Sequence, residues 1–108
     1  MFTVRVLILD PMSKLLTLIY DTSIEASMAE LLEALEVPGY TRVADVLGRG
    51  GRGPKMNNAV YPGTNTLVYL ILPEADVPRV HRAIRRLQHS FRLKPGVTIL
   101  CQDVVEME

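Results

Sequence analysis

Between Gly48 and Asn65 the chain reads GRGGRGPKMNNAVYPGTN, and this segment holds five of the seven glycines. Arg49, Arg52 and Lys55 give it three cations, and no acidic residue occurs from Val46 to Pro73. Glycine lets backbone N–H groups approach a ligand closely, and cations neutralise an anionic one. This combination suits a phosphate or carboxylate. The sequence lacks both G-x-G-x-x-G opening a helix and G-x-x-x-x-G-K-[ST], so no standard phosphate motif applies. A loop this long in a small domain is functional more often than filler. The segment therefore predicts a mobile, anion-responsive loop with Gly48, Arg49, Gly50, Arg52 and Lys55 at its base. Tyr61, with Asn57 and Asn58 nearby, stands further along it as a modification site, an anchor on a partner or a lid; the bland alternative is packing of the loop back onto the sheet.

Other groups that could do chemistry are sparse. His81 and His89 are two helical turns apart, and Cys101 is alone, so no spacing matches a metal site. Cys101 reads as a small core residue. No nucleophile stands beside a base, and Asp10, Asp21, Asp45 and Asp103 read as ordinary strand ends, so no enzyme is expected. A second basic feature comprises Arg79, Arg82, Arg86 and His89, with Arg85 adjacent. Its spacing of three, four and three lines one helix face. A nucleic-acid surface is the alternative there, but aromatic interleaving is poor and base stacking would lack a platform. Glu25, Glu30, Glu33 and Glu36 on the preceding helix favour charge complementarity between two neighbouring helices.

These residues must be held by a modest core. The chain has 108 residues, twelve cations against twelve anions, and 48% apolar residues. That composition is a single globular domain over residues 1–108 with no bulk charge to attract nucleic acid or membrane. A lone cysteine fits a reducing compartment. No apolar run is long enough for a membrane span, and residues 1–10 lack a signal-peptide cleavage pattern, so a cytoplasmic protein is expected.

Alternation over Phe2–Leu9 predicts an N-terminal strand, and Asp10–Lys14 a turn. Leu15–Tyr20 is continuously apolar, as for a central strand buried on both faces. Thr22 and Glu25 match a capping box, followed by Ile24, Met28, Leu31, Leu32 and Leu35 at helical spacing, with Val37-Pro38-Gly39 as the stop. Tyr40–Leu47 reads as a second core strand and Thr66–Leu72 as a third. Pro73–Asp76 opens a helix with the stripe Val77, Val80, Ile84, Leu87 and Phe91. Lys94-Pro95-Gly96 turns into a closing strand, Val97–Val105. Apart from the first strand, the order is βαββαβ: an α+β, ferredoxin-like antiparallel sheet with two helices on one face and an extra N-terminal strand. Such a sheet leaves one face bare, and self-association is expected to cover it.

Gly39-Tyr40-Thr41-Arg42, leading to Val46-Leu47-Gly48-Arg49-Gly50 and then the long loop, resembles the step by which PII-like signalling proteins enter their T-loop. The resemblance spans roughly residues 15–105. It implies a homotrimer, not an enzyme, that binds an adenine nucleotide (AMP, ADP or ATP) or another small anion in clefts between subunits and docks on a target protein through loop 48–65. PII proteins also carry TGxxGDGxI after the second helix. Here that place is Ser90–Val97, shorter and with one glycine, where Arg92 and Lys94 would supply part of the missing phosphate contacts. The departure argues against 2-oxoglutarate sensing through ATP.

Overall fold

The computed structural model describes residues 13–108, and the expected N-terminal strand lies outside them. The elements are β1 (Ser13–Asp21), α1 (Glu25–Ala34), β2 (Thr41–Val46), β3 (Gly48–Gly50), β4 (Gly53–Lys55), β5 (Asn65–Pro73), α2 (Val77–Ser90) and β6 (Val97–Asp103). Short 3-10 turns, Thr22–Ile24 and Glu74–Asp76, lead into the two helices. The main sheet has the order β2-β5-β1-β6 with every neighbour antiparallel. Setting aside the small β3–β4 ribbon, this is the ferredoxin-like arrangement.

Side-chain alternation explains where the core forms. Leu16, Leu18 and Tyr20 pair with Leu70, Val68 and Thr66 across β1 and β5, so all six share one face. That face meets Ile24, Met28 and Leu32 of the first helical segment and Val80 and Ile84 of α2, all buried. Both helices therefore cover the same side. Burying each such aliphatic side chain contributes about 1.5–3 kcal/mol. On the opposite side Leu15, Ile19, Leu67 and Ile71 are half-buried, so β1 is not covered equally on both faces as its apolar run predicts. Val43, Tyr69 and Leu100 on that side are 40%, 40% and 51% exposed.

Several expectations change in detail. Ser13 and Lys14 belong to β1, not to a turn. The expected core strand at 40–47 is an exposed edge strand with a bulge between Val43 and Val46, where Asp45 takes φ 55°. An edge strand has one neighbour and escapes the helices, so its apolar residues are not buried. The capping box does not form. Asp21, not Thr22, caps the first turn by accepting from the Ser23 N–H at 2.9 Å. Glu25 instead accepts from the Tyr20 hydroxyl at 2.8 Å and from Arg42 at 2.7 Å. Glu36, not Gly39, ends α1. Its φ is 55°, its N–H reaches Glu33 O at 3.1 Å, and Val37 N–H reaches Leu32 O at 3.5 Å. That is a Schellman stop with glutamate where glycine is usual. Cys101 is exposed, because β6 is also an edge strand and is bare from Leu100 onwards.

Candidate functional site

The glycine-rich segment is an ordered ribbon. Gly48 faces Lys55, Arg49 faces Pro54 and Gly50 faces Gly53 across β3 and β4. Gly53 sits at φ +101°, a conformation other residues adopt only under strain. Beyond the ribbon, Met56 N–H bonds Tyr61 O at 3.0 Å and Asn57 N–H bonds Gly63 O at 3.1 Å. Asn58 Oδ1 accepts from the N–H groups of Val60 and Tyr61 at 3.1 and 2.7 Å. Asn57 has φ 55°. The tip is thus a small turn held by an asparagine side chain, with Val60 and Tyr61 74% and 45% exposed.

The base of this segment is fastened to the start of the first helical turn. Thr22 Oγ1 lies 2.9 Å from Thr64 Oγ1 and 3.0 Å from Thr66 Oγ1, and Thr64 donates to Asp45 Oδ1 at 3.1 Å. Thr64 and Thr66 are buried, so each hydroxyl needs its partner. Lys55 Nζ donates to Asp21 Oδ2 at 2.6 Å and to Asn65 Oδ1 at 2.9 Å. The Arg52 guanidinium donates to the backbone carbonyl of Lys94.

That last contact brings the ribbon against the turn after α2. Between them lies a cleft of about 450 Å³, floored by Ile19, Asp21 and Thr98 and walled by residues 49–53, Lys55, Asn65 and residues 94–96. The far wall is set by α2. Buried Gln88 donates to Pro95 O at 2.8 Å, and Arg85 donates to Val97 O at 2.8 Å and to Gln88 Oε1 at 3.0 Å. So the chemistry-bearing residues come from two segments, one moored to the frame by Lys55 and the other by helix side chains.

Of the residues singled out in the sequence, Arg49, Gly50, Arg52, Lys55 and Lys94 line the cleft. Gly48 does not. It stands beside Asn65, whose amide nitrogen would lie 3.3 Å from a Cβ there, so glycine suits that close packing. Arg92 is exposed and lies outside the cleft. Asn57, Asn58 and Tyr61 sit at the other end of the loop and do not reach it. Asp21, Asn65 and Thr98 are the residues that sequence reasoning missed. Asp21 passed as an ordinary strand end. Its position as the last residue of an apolar strand, one step before a helix start, was the available signal.

Electrostatics single out Asp21. Burial alone would push its carboxyl up, but hydrogen bonds from Lys55 and Ser23 and the Lys55 charge outweigh that and bring it down to about 2. The Tyr20 hydroxyl is held protonated well above its ordinary range, first by burial and then by its bond to Glu25.

The expected pairing of basic α2 with acidic α1 does not occur. The ion pairs of the described residues include Lys14 with Glu74 and Asp103, Arg42 with Glu25, Lys55 with Asp21, and Arg79 with Asp76. Arg79 reaches the end of α1 through a backbone carbonyl, Leu35 O, at 2.9 Å. Arg82 and Arg86 are exposed. Among the described residues no helix is long and apolar enough to cross a membrane, and no three of His, Cys, Asp or Glu gather as metal ligands would.

No family model and no curated protein sequence matches the chain. Solved structures do. CPII, a nitrogen regulatory PII-like protein from Thiomonas intermedia K12 bound to ADP, AMP and bicarbonate, superposes with a TM-score of 0.64 at 20% identity, over 87% of this chain and 89% of that one. A PII-like signalling protein from Thermus thermophilus gives 0.60 at 22% identity, over 88% and 89%. A DUF3240 family protein from Shewanella baltica OS155 gives 0.70 at 14% identity, over 90% and 94%. The chain has the PII-like fold.

Proposed function

We propose that this chain is a non-enzymatic, cytoplasmic PII-like regulator that takes a small anion, an adenine nucleotide first of all, in the cleft at the base of loop 48–65. The observation that carries this reading is convergence. Arg49, Arg52, Lys55 and Lys94 come from segments about forty residues apart and face one cleft next to glycine backbone. Four cations around a single carboxylate favour a ligand with more than one negative charge. The fold supports the reading, since CPII holds ADP, AMP and bicarbonate on the same architecture. In this proposal the chain assembles as a homotrimer through the bare sheet face, which completes each cleft with a neighbouring subunit. The tip around Asn57, Asn58 and Tyr61 docks on a target protein, and the ligand state of the cleft governs that docking.

Calorimetric titration with AMP, ADP, ATP and bicarbonate tests the cleft. We expect at least one nucleotide to bind, and the double replacement Arg49→Ala with Arg52→Ala to abolish binding without changing the oligomer. Binding that survives this replacement would move the ligand out of the cleft. Silence with all four ligands would leave loop 48–65 as a docking element alone.

A further inference from the structure

Two of the cleft's cations are already engaged inside the molecule. Lys55 is shared between Asp21 and Asn65, and Arg52 is engaged by the Lys94 carbonyl. The Arg49 side chain makes no hydrogen bond or ion pair among the described residues. Both engaged cations belong to the ribbon, and their partners belong to the fixed frame: the end of β1, the start of β5 and the turn after α2. These contacts therefore do two things at once. They occupy ligand-binding charge, and they moor the ribbon to the sheet.

From this geometry we infer that Asp21 is an internal competitor for Lys55, so that an anion enters fully only by taking Lys55 from it, and that this exchange unmoors the base of loop 48–65. The inference rests on the cleft being the anion site. It adds which residue sets the threshold and how occupancy reaches the loop. The side chains of Lys55 and Asp21 are 21% and 32% exposed. A pair this wet is weak enough to be exchanged, where a fully buried one would not be. Asp21 keeps a second role throughout, as cap of the first helical turn, so losing Lys55 does not leave it without a donor. Ligand charge then decides the outcome. A monophosphate carries about two negative charges, which Arg49 and Lys94 can hold with the mooring intact. A diphosphate offers enough charge to outbid one carboxylate for Lys55. Discrimination between ADP and AMP is therefore a property of Asp21.

The test compares Asp21→Asn with Lys55→Gln in the full chain. Asparagine caps a helix as well as aspartate does, so the first substitution removes the charge and keeps the fold. ADP and AMP affinities are measured by calorimetry, and mooring by amide hydrogen exchange over residues 53–58. Asp21→Asn should speed that exchange and tighten ADP by roughly fivefold, the scale of a wet ion pair, with little change for AMP. Lys55→Gln should speed exchange equally but weaken ADP. Opposite effects on affinity with the same effect on exchange are the signature of competition. Weaker ADP binding in both variants, or unchanged exchange in Asp21→Asn, would overturn the inference while leaving the cleft as the binding site. A wild-type chain that binds neither nucleotide would instead sink the functional reading on which the exchange depends.

Discussion

At the scale of single residues, Asp21 does the most. It caps a turn, holds Lys55 and closes the cleft floor. Its carboxyl falls from an ordinary 3.8 to about 2 on folding. The sign follows directly. A carboxyl that is more acidic in the folded state stabilises the fold above its unfolded value, and that contribution fades as pH drops from about 4 towards 2. Because the group is partly wet, screening reduces its worth to about 1 kcal/mol at neutral pH. Asp21→Asn should therefore unfold at lower denaturant than wild type at pH 7, and the gap should close in titrations taken at successively lower pH across that window. A gap that stays constant would mean that the aspartate charge is not the source. Tyr20 works differently, because its hydroxyl is buried against Glu25. Tyr20→Phe removes one hydrogen bond and should cost about 1 kcal/mol in the same denaturation assay, with no dependence on pH near neutrality.

At the scale of elements, the two helices pack on one face of the sheet and position what surrounds the cleft. α2 uses its buried stripe to sit on the sheet, and it uses Arg85 and Gln88 to fix the turn that walls the cleft. α1 ends in a left-handed glutamate, Glu36, whose stop is made by backbone groups. Glycine adopts that backbone without strain. Glu36→Gly should stabilise the chain by about 0.5–1 kcal/mol, read as a rise in melting temperature of a few degrees. An unchanged or lower melting temperature would show that the greater freedom of glycine in the unfolded chain cancels the gain. The ribbon β3–β4 illustrates the reverse case. Gly53 already occupies a left-handed conformation there, and any larger residue would strain the hairpin that carries Arg49 and Arg52.

At the scale of the whole molecule, the helices among the described residues cover one side of the sheet. Val43, Tyr69 and Leu100 make the other side partly apolar and exposed, flanked by half-buried Leu67 and Ile71. An apolar surface of this kind on a small chain is normally covered by association. Tyr69→Glu with Leu100→Glu places two charges in the middle of it. In sedimentation equilibrium this variant should shift from an oligomer to a monomer. If the wild type is itself monomeric at micromolar concentration, the proposed trimer is wrong, and the cleft must be complete within one chain.

Much of this was legible in the amino-acid order, because it depends on local periodicity. Apolar spacing located β1, α1, β5 and α2. The concentration of glycine and cations in an acid-free stretch located the loop, and five of the seven residues named for the ligand site line the cleft. The remainder depends on which strands lie at the edge and which segments meet. Tyr40–Leu47 reads as a core strand, yet it is exposed, since only its place outside β5 decides its burial. Thr22 and Glu25 have capping-box spacing, but contacts made across the fold, with Thr64, Thr66, Tyr20 and Arg42, outcompete that local bond. Asp21 is the sharpest case. No neighbour in sequence marks it as part of a basic cleft, because its partner Lys55 is 34 positions away. The register of β1 with β5 sets Asp21 opposite Asn65, and the ribbon β3–β4 brings Lys55 onto both.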